Sequence, residues 1–394
     1  MRPFLLNATL VNRFFTRLDL KASYRYYDFD NRSRRVFFPE GIIVNDQGSA
    51  VEAGLRSFPW AYSRQYASLD ASYAVTRWLS ARLGYGWERM HRERREVLNA
   101  NEHTVGPTFD LTPTSWLMVR TGYKRSWRDA HRYDAGRFAV VETEDSPEEV
   151  RAAQLAVLRK YDEAARNRDQ YSLFTQVTPW STLTLTAEFD FNKDHFPGTA
   201  IGLKNDINYV PSIGLTYAPL DWMSLFADYN WEGYDWKMRA MERTATTQTP
   251  SSDPNRLWIS RGKDQVHTFD IGSDLTLIKN LLGFRIQYTF SDASSLTRAS
   301  GNSAGTAASD FPRVTSQWHE LLARFDYRLY RGTTLKFGYY FNHFTESDFG
   351  VDVMDVWMGN VDTTPNVQRS IFLGDRIKTP YTAHLGFVAL RWEY

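Results

Sequence analysis

The side chains in this chain most able to do chemistry are its eight histidines and its many carboxylates and bases. Histidine beside cysteine, or two histidines at H-x-x-x-H spacing, would offer a metal site. Here His91, His103, His131, His195, His267, His319, His343 and His384 stand singly, and there is no cysteine. Disulfides, thiolate zinc sites and the C-x-x-C-H attachment of a c-type haem are therefore excluded from this chain. Asp28-Phe29-Asp30-Asn31 lacks the glycine and distal glutamate of a calcium loop. Glycine-rich phosphate loops are absent, Gly84-Tyr85-Gly86 sits inside an alternating segment, and no nucleophile has a catalytic context, so the sequence does not argue for an enzyme. What recurs is charge on alternate positions, as at Arg82, Glu88, Arg120, Lys124, Glu188, Asp190, Asp228, Glu232, Asp270, Asp274, Arg285, Arg324 and Asp326. Such a set lines a surface: it can border water or hold a polar partner.

The elements that position these charges are strands. In Leu79-Ser80-Ala81-Arg82-Leu83-Gly84-Tyr85-Gly86-Trp87-Glu88 every odd residue is apolar and every even one small or charged, the period-two signature of a strand with one apolar face. About fifteen such segments begin near residues 5, 18, 62, 79, 101, 116, 169, 183, 206, 223, 265, 282, 316, 334 and 381. Alternate connections are tight turns, as at 76–78, 113–115, 180–182 and 219–221. The others are long and polar, at 29–60, 128–168, 240–264, 292–314 and 346–380. The spacing predicts an all-β fold, a transmembrane antiparallel up-and-down β-barrel forming a single domain over residues 1–394. A soluble sandwich or propeller also alternates, but its apolar face would be rich in Val, Ile and Leu, whereas this one is crowded with aromatic residues. Trp78, Trp116 and Trp222 each precede a strand, and Trp392 and Tyr394 close the last one. All five are candidates for a membrane-interface belt. Ser146-Pro147-Glu148-Glu149 is a capping box, and the apolar spacing after it predicts a helical insertion near 146–167.

Composition agrees with a membrane barrel. With 47 Lys+Arg against 46 Asp+Glu, the net charge of +1 argues against nucleic acid, and 15% aromatic residues argue against disorder. No run approaches the ~18 apolar residues of a spanning helix. The apolar start of the chain stops at Asn7, too short for a signal-peptide core. If the short turns are periplasmic, the first and last segments both run toward the periplasm, whereas single-chain barrels have an even strand number. The sequence thus predicts at least one further strand before residue 5, with a signal peptide on that preceding part. The predicted lumen face carries both signs, which suits a water-filled pore and a sleeve around a polar plug equally.

Four stretches resemble a known family: Leu18-Asp19-Leu20-Lys21-Ala22-Ser23-Tyr24-Arg25-Tyr26, residues 158–169 (LRKYDEAARNRD), Lys263-Asp264-Gln265-Val266-His267-Thr268, and the ending Tyr381-Thr382-Ala383-His384. In order and spacing they resemble the C-terminal part of the MtrB/PioB family of decahaem-associated outer-membrane barrels. The resemblance implies a bacterial outer-membrane location and a sheath function. The barrel would embed a periplasmic multihaem (decahaem) c-type cytochrome, sometimes with an outer-surface cytochrome, as a transmembrane electron conduit. The haem would be carried by the partner, with no cofactor, catalytic residue or metal in this chain. The thirteen charged residues named above would then be candidate contacts for that partner. The alternatives are a non-specific porin or transport barrel, and a surface-structural barrel acting through residues 128–168, 240–264 and 346–380.

Overall fold

A computed structural model describes the chain except for residues 1, 13, 39–40, 46–47, 53–54, 58, 94, 131, 135–140, 144–154, 156, 243–252, 304–305, 308, 331, 351–356, 359–370, 373–379 and 393–394. Fifteen long strands account for most of it. They are β1 (Arg2–Asn12), β2 (Leu18–Asp30), β3 (Tyr62–Ala74), β4 (Leu79–Arg92), β5 (Asn99–Thr114), β6 (Leu117–Asp129), β7 (Arg166–Trp180), β8 (Leu183–His195), β9 (Ile201–Leu220), β10 (Met223–Met241), β11 (Leu257–Ile278), β12 (Leu282–Ser303), β13 (Val314–Tyr330), β14 (Thr333–Ser347) and β15 (Tyr381–Trp392). Each pairs antiparallel with its sequence neighbour in one continuous sheet. Among the described residues β1 and β15 are each paired on one side only.

Alternation sorts the side chains because residues directly opposite on paired strands share a face. One face carries Leu83, Leu185, Ile213, Ile271, Phe337 and Val388, all solvent-exposed in the isolated chain and hence the face for lipid. The opposite face carries the charges. Turns at the short end are tied to the next hairpin by one repeated hydrogen bond: Thr112, Thr178 and Thr276 donate their amides to the carbonyls of Trp78, Trp116 and Trp222 at 2.7–2.8 Å. These three tryptophans are 46%, 47% and 48% exposed, one equivalent position repeated. Trp392 is exposed at the same end, and Tyr394 lies outside the described residues.

Two expectations need correction. The strands outrun the predicted loops: β11 starts at Leu257 and β12 reaches Ser303, so these have 22 residues each against 13 in β2 and β3. A span needs only ~9–11, and the surplus rises above the membrane on the long-loop side. There neither face meets the hydrocarbon, so alternation fades while the ladder continues. The predicted helix is the second correction. The capping box and residues 150–154 lie outside the described residues. Beyond them, Leu158–Arg159 is a two-residue strand parallel to Ile201–Gly202, followed by a turn at 161–163. Leu155, Val157 and Leu158 pack on Ile201, Met241 and Leu257, so the described part of that apolar spacing serves a non-helical segment. Gly202, at φ +119°, permits this: a Cβ there would stand 2.3 Å from the Arg159 carbonyl oxygen.

Candidate lumen surface

All thirteen charged residues singled out from the sequence fall on the inward face by register. Ser72, Arg82 and Thr108 face one another across β3–β5, as do Tyr66, Glu88 and Glu102. Arg120 opposes Asp110 and donates to it at 2.5 Å; Lys124 opposes Gln170. Asp228 opposes Asp270, Asp274 opposes Arg285, Arg285 opposes Arg324, and Asp326 opposes Lys336.

The signs are not evenly mixed, as the sequence suggested, but segregated by strand. On β8–β11 the inward charges are Glu188, Asp190, Asp194, Asp206, Asp228, Glu232, Asp264, Asp270 and Asp274. No base stands inward on these strands below the bulge at Lys204. Arg82, Arg120, Lys124, Arg128, Arg166 and Arg168 lie to one side on β4–β7. To the other side, on β12–β15, lie Arg285, Arg324, Arg328, Lys336 and Arg391. Ion pairs form at the borders of the acidic wall: Arg168 grips Asp194 through two bonds of 2.6 Å, and Arg285 reaches Asp274 at 3.3 Å. Inside it Asp270 accepts from Gln287 (2.7 Å) and Thr289 (2.6 Å), and Asn208 donates to Glu232 at 3.3 Å. Among the described residues no cation pairs with Glu188, Asp190, Asp228 or Asp264. Like charges directly opposite on neighbouring strands, as at Asp228 and Asp270, destabilise a sheet, so folding alone gives no reason for the arrangement.

The histidines occupy the other side of the wall. His91, His103, His195, His267, His319, His343 and His384 all face outward by register, and His131 is outside the described residues. Four of them meet a tyrosine hydroxyl of the neighbouring strand through Nδ1: Tyr85–His103 (2.7 Å), Tyr229–His267 (2.9 Å), Tyr288–His319 (2.7 Å) and Tyr339–His384 (2.6 Å). Each tyrosine is six residues after its strand's first residue (Leu79, Met223, Leu282, Thr333). The same position holds Tyr24, Tyr123 and Phe189 after Leu18, Leu117 and Leu183. With a rise of ~3.3 Å per residue and a tilt near 45°, this ring sits roughly 14 Å above the strands' first residues, within an apolar band about 25 Å tall.

The sequence matches the profile of the family described as outer membrane beta-barrel porin, MtrB/PioB, over residues 3–394. The chain belongs to the MtrB/PioB family. It is 24% identical over 351 residues to outer membrane protein MtrB of Shewanella baltica (strain OS185), covering 88% of this chain and 46% of that protein. The chain thus spans about half the length of the curated relative it matches. Among solved structures, the FrpB iron transporter of Neisseria meningitidis (F3-3 variant) aligns with a TM-score of 0.43 at 13% identity, over 87% of this chain and 60% of that one. The open form of the ferric-catecholate import receptor Fiu from E. coli K12 gives 0.39 at 7% identity, over 86% and 68%. The family and the relative place the protein in the outer membrane as a β-barrel.

An MtrB/PioB wall one residue thick, wet on one side and lipid-covered on the other, has no dry interior of its own. The buried residues accordingly collect at the long-loop end: Val97, Ala100, Ala164, Phe196, Ile201 and Met241. Charge is buried there too. Glu163 is fully enclosed, accepts from the Val97 amide at 3.1 Å, and lies against Arg95 and Glu96, while Lys160 pairs with Glu96 at 2.6 Å. Burial pushes the Glu163 carboxyl from its ordinary 4.5 up to about 7; neighbouring Glu96 adds to the rise and Arg95 opposes it. The folded chain then holds a proton that the unfolded chain releases between about 4.5 and 7. Stability therefore falls as pH climbs through that window and levels off above it. The protection factors of the Val97 and Ala164 amides, exchange corrected for its intrinsic base-catalysed rate, should fall from pH 5 to pH 8, and Glu163→Gln should flatten that profile. A Gln variant with the unchanged slope would assign the titration to another group.

Proposed function

We propose that this barrel sheathes a periplasmic multihaem c-type cytochrome and thereby forms a conduit for electrons across the outer membrane. The acidic wall on β8–β11 carries this reading. Carboxylates crowded on the inward face without cation partners suit a lumen occupied by a protein with a basic face, whose own charges would complete the pairs. The family points the same way. In this role the chain needs no redox chemistry: it binds, orients and insulates, while haem carried by the partner supplies electron transfer. The mixed-sign stripes on β4–β7 and β12–β15 would meet less charged parts of the occupant, and an outer-surface cytochrome would dock at the long-loop end.

The full-length protein should co-purify with haem-staining polypeptide. Liposomes carrying it should exchange electrons between an external reductant and an enclosed dye only when the cytochrome is inserted. A barrel that retains no cytochrome at low salt, yet conducts ions through an open lumen, would establish the alternative porin reading, with the acidic wall acting as a cation filter.

A further inference from the structure

Above the outward aromatic ring the lipid face changes character. Register places Asn205, Lys237, Arg261 and Arg298 side by side in one row across β9–β12. Three cations on consecutive strands, each directly opposite the next with Cβ atoms ~5 Å apart, repel one another, an arrangement that costs sheet stability. The row lines an open groove of about 720 Å³ that also includes Lys263, Asp235 and Asp310. Arg298 approaches Asp310 at 4.0 Å, and Asp235 stands opposite Lys263. Among the described residues no carboxylate forms an ion pair with Lys237 or Arg261.

The same strands continue downward into a different surface. Below Lys263 on β11 the outward residues are Gln265, His267, Phe269 and Ile271; below Asp235 on β10 they are Gly233, Trp231, Tyr229 and Ala227. Tyr229, Phe269, Ile271, Ala227, Ile213 and Leu215 border an apolar groove of about 940 Å³. The four-residue step from His267 to Lys263 spans roughly 13 Å along the strand, about 10 Å along the membrane normal at a tilt near 45°. Read upward, the surface offers an apolar channel, a tier of aromatic residues and then a cationic row at headgroup height.

We propose that this outward track is a binding site for a phosphorylated lipid of the outer leaflet, with acyl chains against Ile213, Phe269 and Ile271 and headgroup phosphates across Lys237, Arg261 and Arg298. Phosphate oxygens bridging the row turn the mutual repulsion of the three cations into attraction to one ligand. Asp235 and Asp310 flank the row and limit the site to a headgroup positioned between them. The site is on the outside of the wall and does not depend on what fills the lumen.

Native mass spectrometry of the delipidated full-length barrel tests it, using a synthetic diphosphorylated glycolipid, phosphatidylcholine and inorganic phosphate as separate probes. Lys237→Gln/Arg261→Gln/Arg298→Gln should weaken glycolipid retention about a hundredfold, and Arg261→Gln alone about fivefold. Lys193→Gln, outward on β8 but outside the row, should leave it unchanged. Heat-modifiable electrophoretic migration verifies that each barrel is folded, and the single variant keeps the test decisive should the triple variant not fold. Retention unaffected by the row substitutions would overturn the proposal. So would inorganic phosphate displacing the glycolipid at equal phosphate concentration, which would mark a free-phosphate site instead.

Discussion

Leu83→Arg is expected to destabilise the barrel by about 2–4 kcal/mol, while Arg82→Leu, one residue away, costs clearly less. Leu83 is four residues above Leu79, 56% exposed, and on the face shared with Leu69, Ala81 and Phe109. That height places it in the hydrocarbon, where an arginine must lose its hydration or pull water in after it. Arg82 opposes Ser72 and Thr108 on the wet face, so a leucine there gives up only a solvated charge. Denaturant titration of both variants in the same lipid reads the difference. Equal costs would reject the assigned register, and a reversed order would mean that the two faces are exchanged, since a slip of one residue moves every side chain to the opposite side.

Reversing Asp190, Asp228 and Glu232 together to Lys is expected to release the lumen occupant, with about a hundredfold loss of retention and a steeper dependence on salt. Neutralising one of them should be hard to detect. Solvent-bordered ion pairs contribute ~0.2–1 kcal/mol each, so one lost pair falls within experimental scatter, whereas three reversals lose three attractions and add three repulsions. Asp228 and Glu232 lie on β10, inside the wall, and Asp190 on β8 opposes the uncharged Ser172 and Val210, whereas Arg168 and Arg285 already neutralise Asp194 and Asp274. Haem co-purified per folded barrel at two salt concentrations is the measurement. Unchanged retention in the triple variant would remove the acidic wall from the interface and return the charge segregation to a property of the empty barrel.

The fold was legible because period-two alternation is written wherever one face meets lipid and the other water. β2, β4, β8, β10 and β12 begin at the residues the pattern indicates, Leu18, Leu79, Leu183, Met223 and Leu282. Legibility ended at the membrane boundary. At Arg261-Gly262-Lys263 both neighbours of the glycine are charged and outward, while Trp236 from β10 covers the glycine itself inside, so the strand continues without a hydropathy signal. The inward placement of the charges could be read from parity, but their segregation could not be read from a pooled list, because it appears only when each carboxylate is assigned to its strand. The hydroxyl partners of four histidines were illegible for a related reason. These histidines look solitary because each tyrosine partner is on another strand, although the six-residue spacing from turn to aromatic was present in the sequence at all seven hairpins.

That spacing has a consequence for how such a chain can change over generations. Below the aromatic ring every insertion is penalised: a single residue would turn lipid-facing leucines inward, and a pair would shift the ring by about 5 Å against the tyrosine–histidine pairs of neighbouring hairpins. Above the ring no such metronome operates, and β11 and β12 have already gained length there. Lineages of this barrel should therefore vary in height only at the outer end, keeping the interval from Leu79 to Tyr85, or from Met223 to Tyr229, while the rim grows, shrinks and acquires new loops.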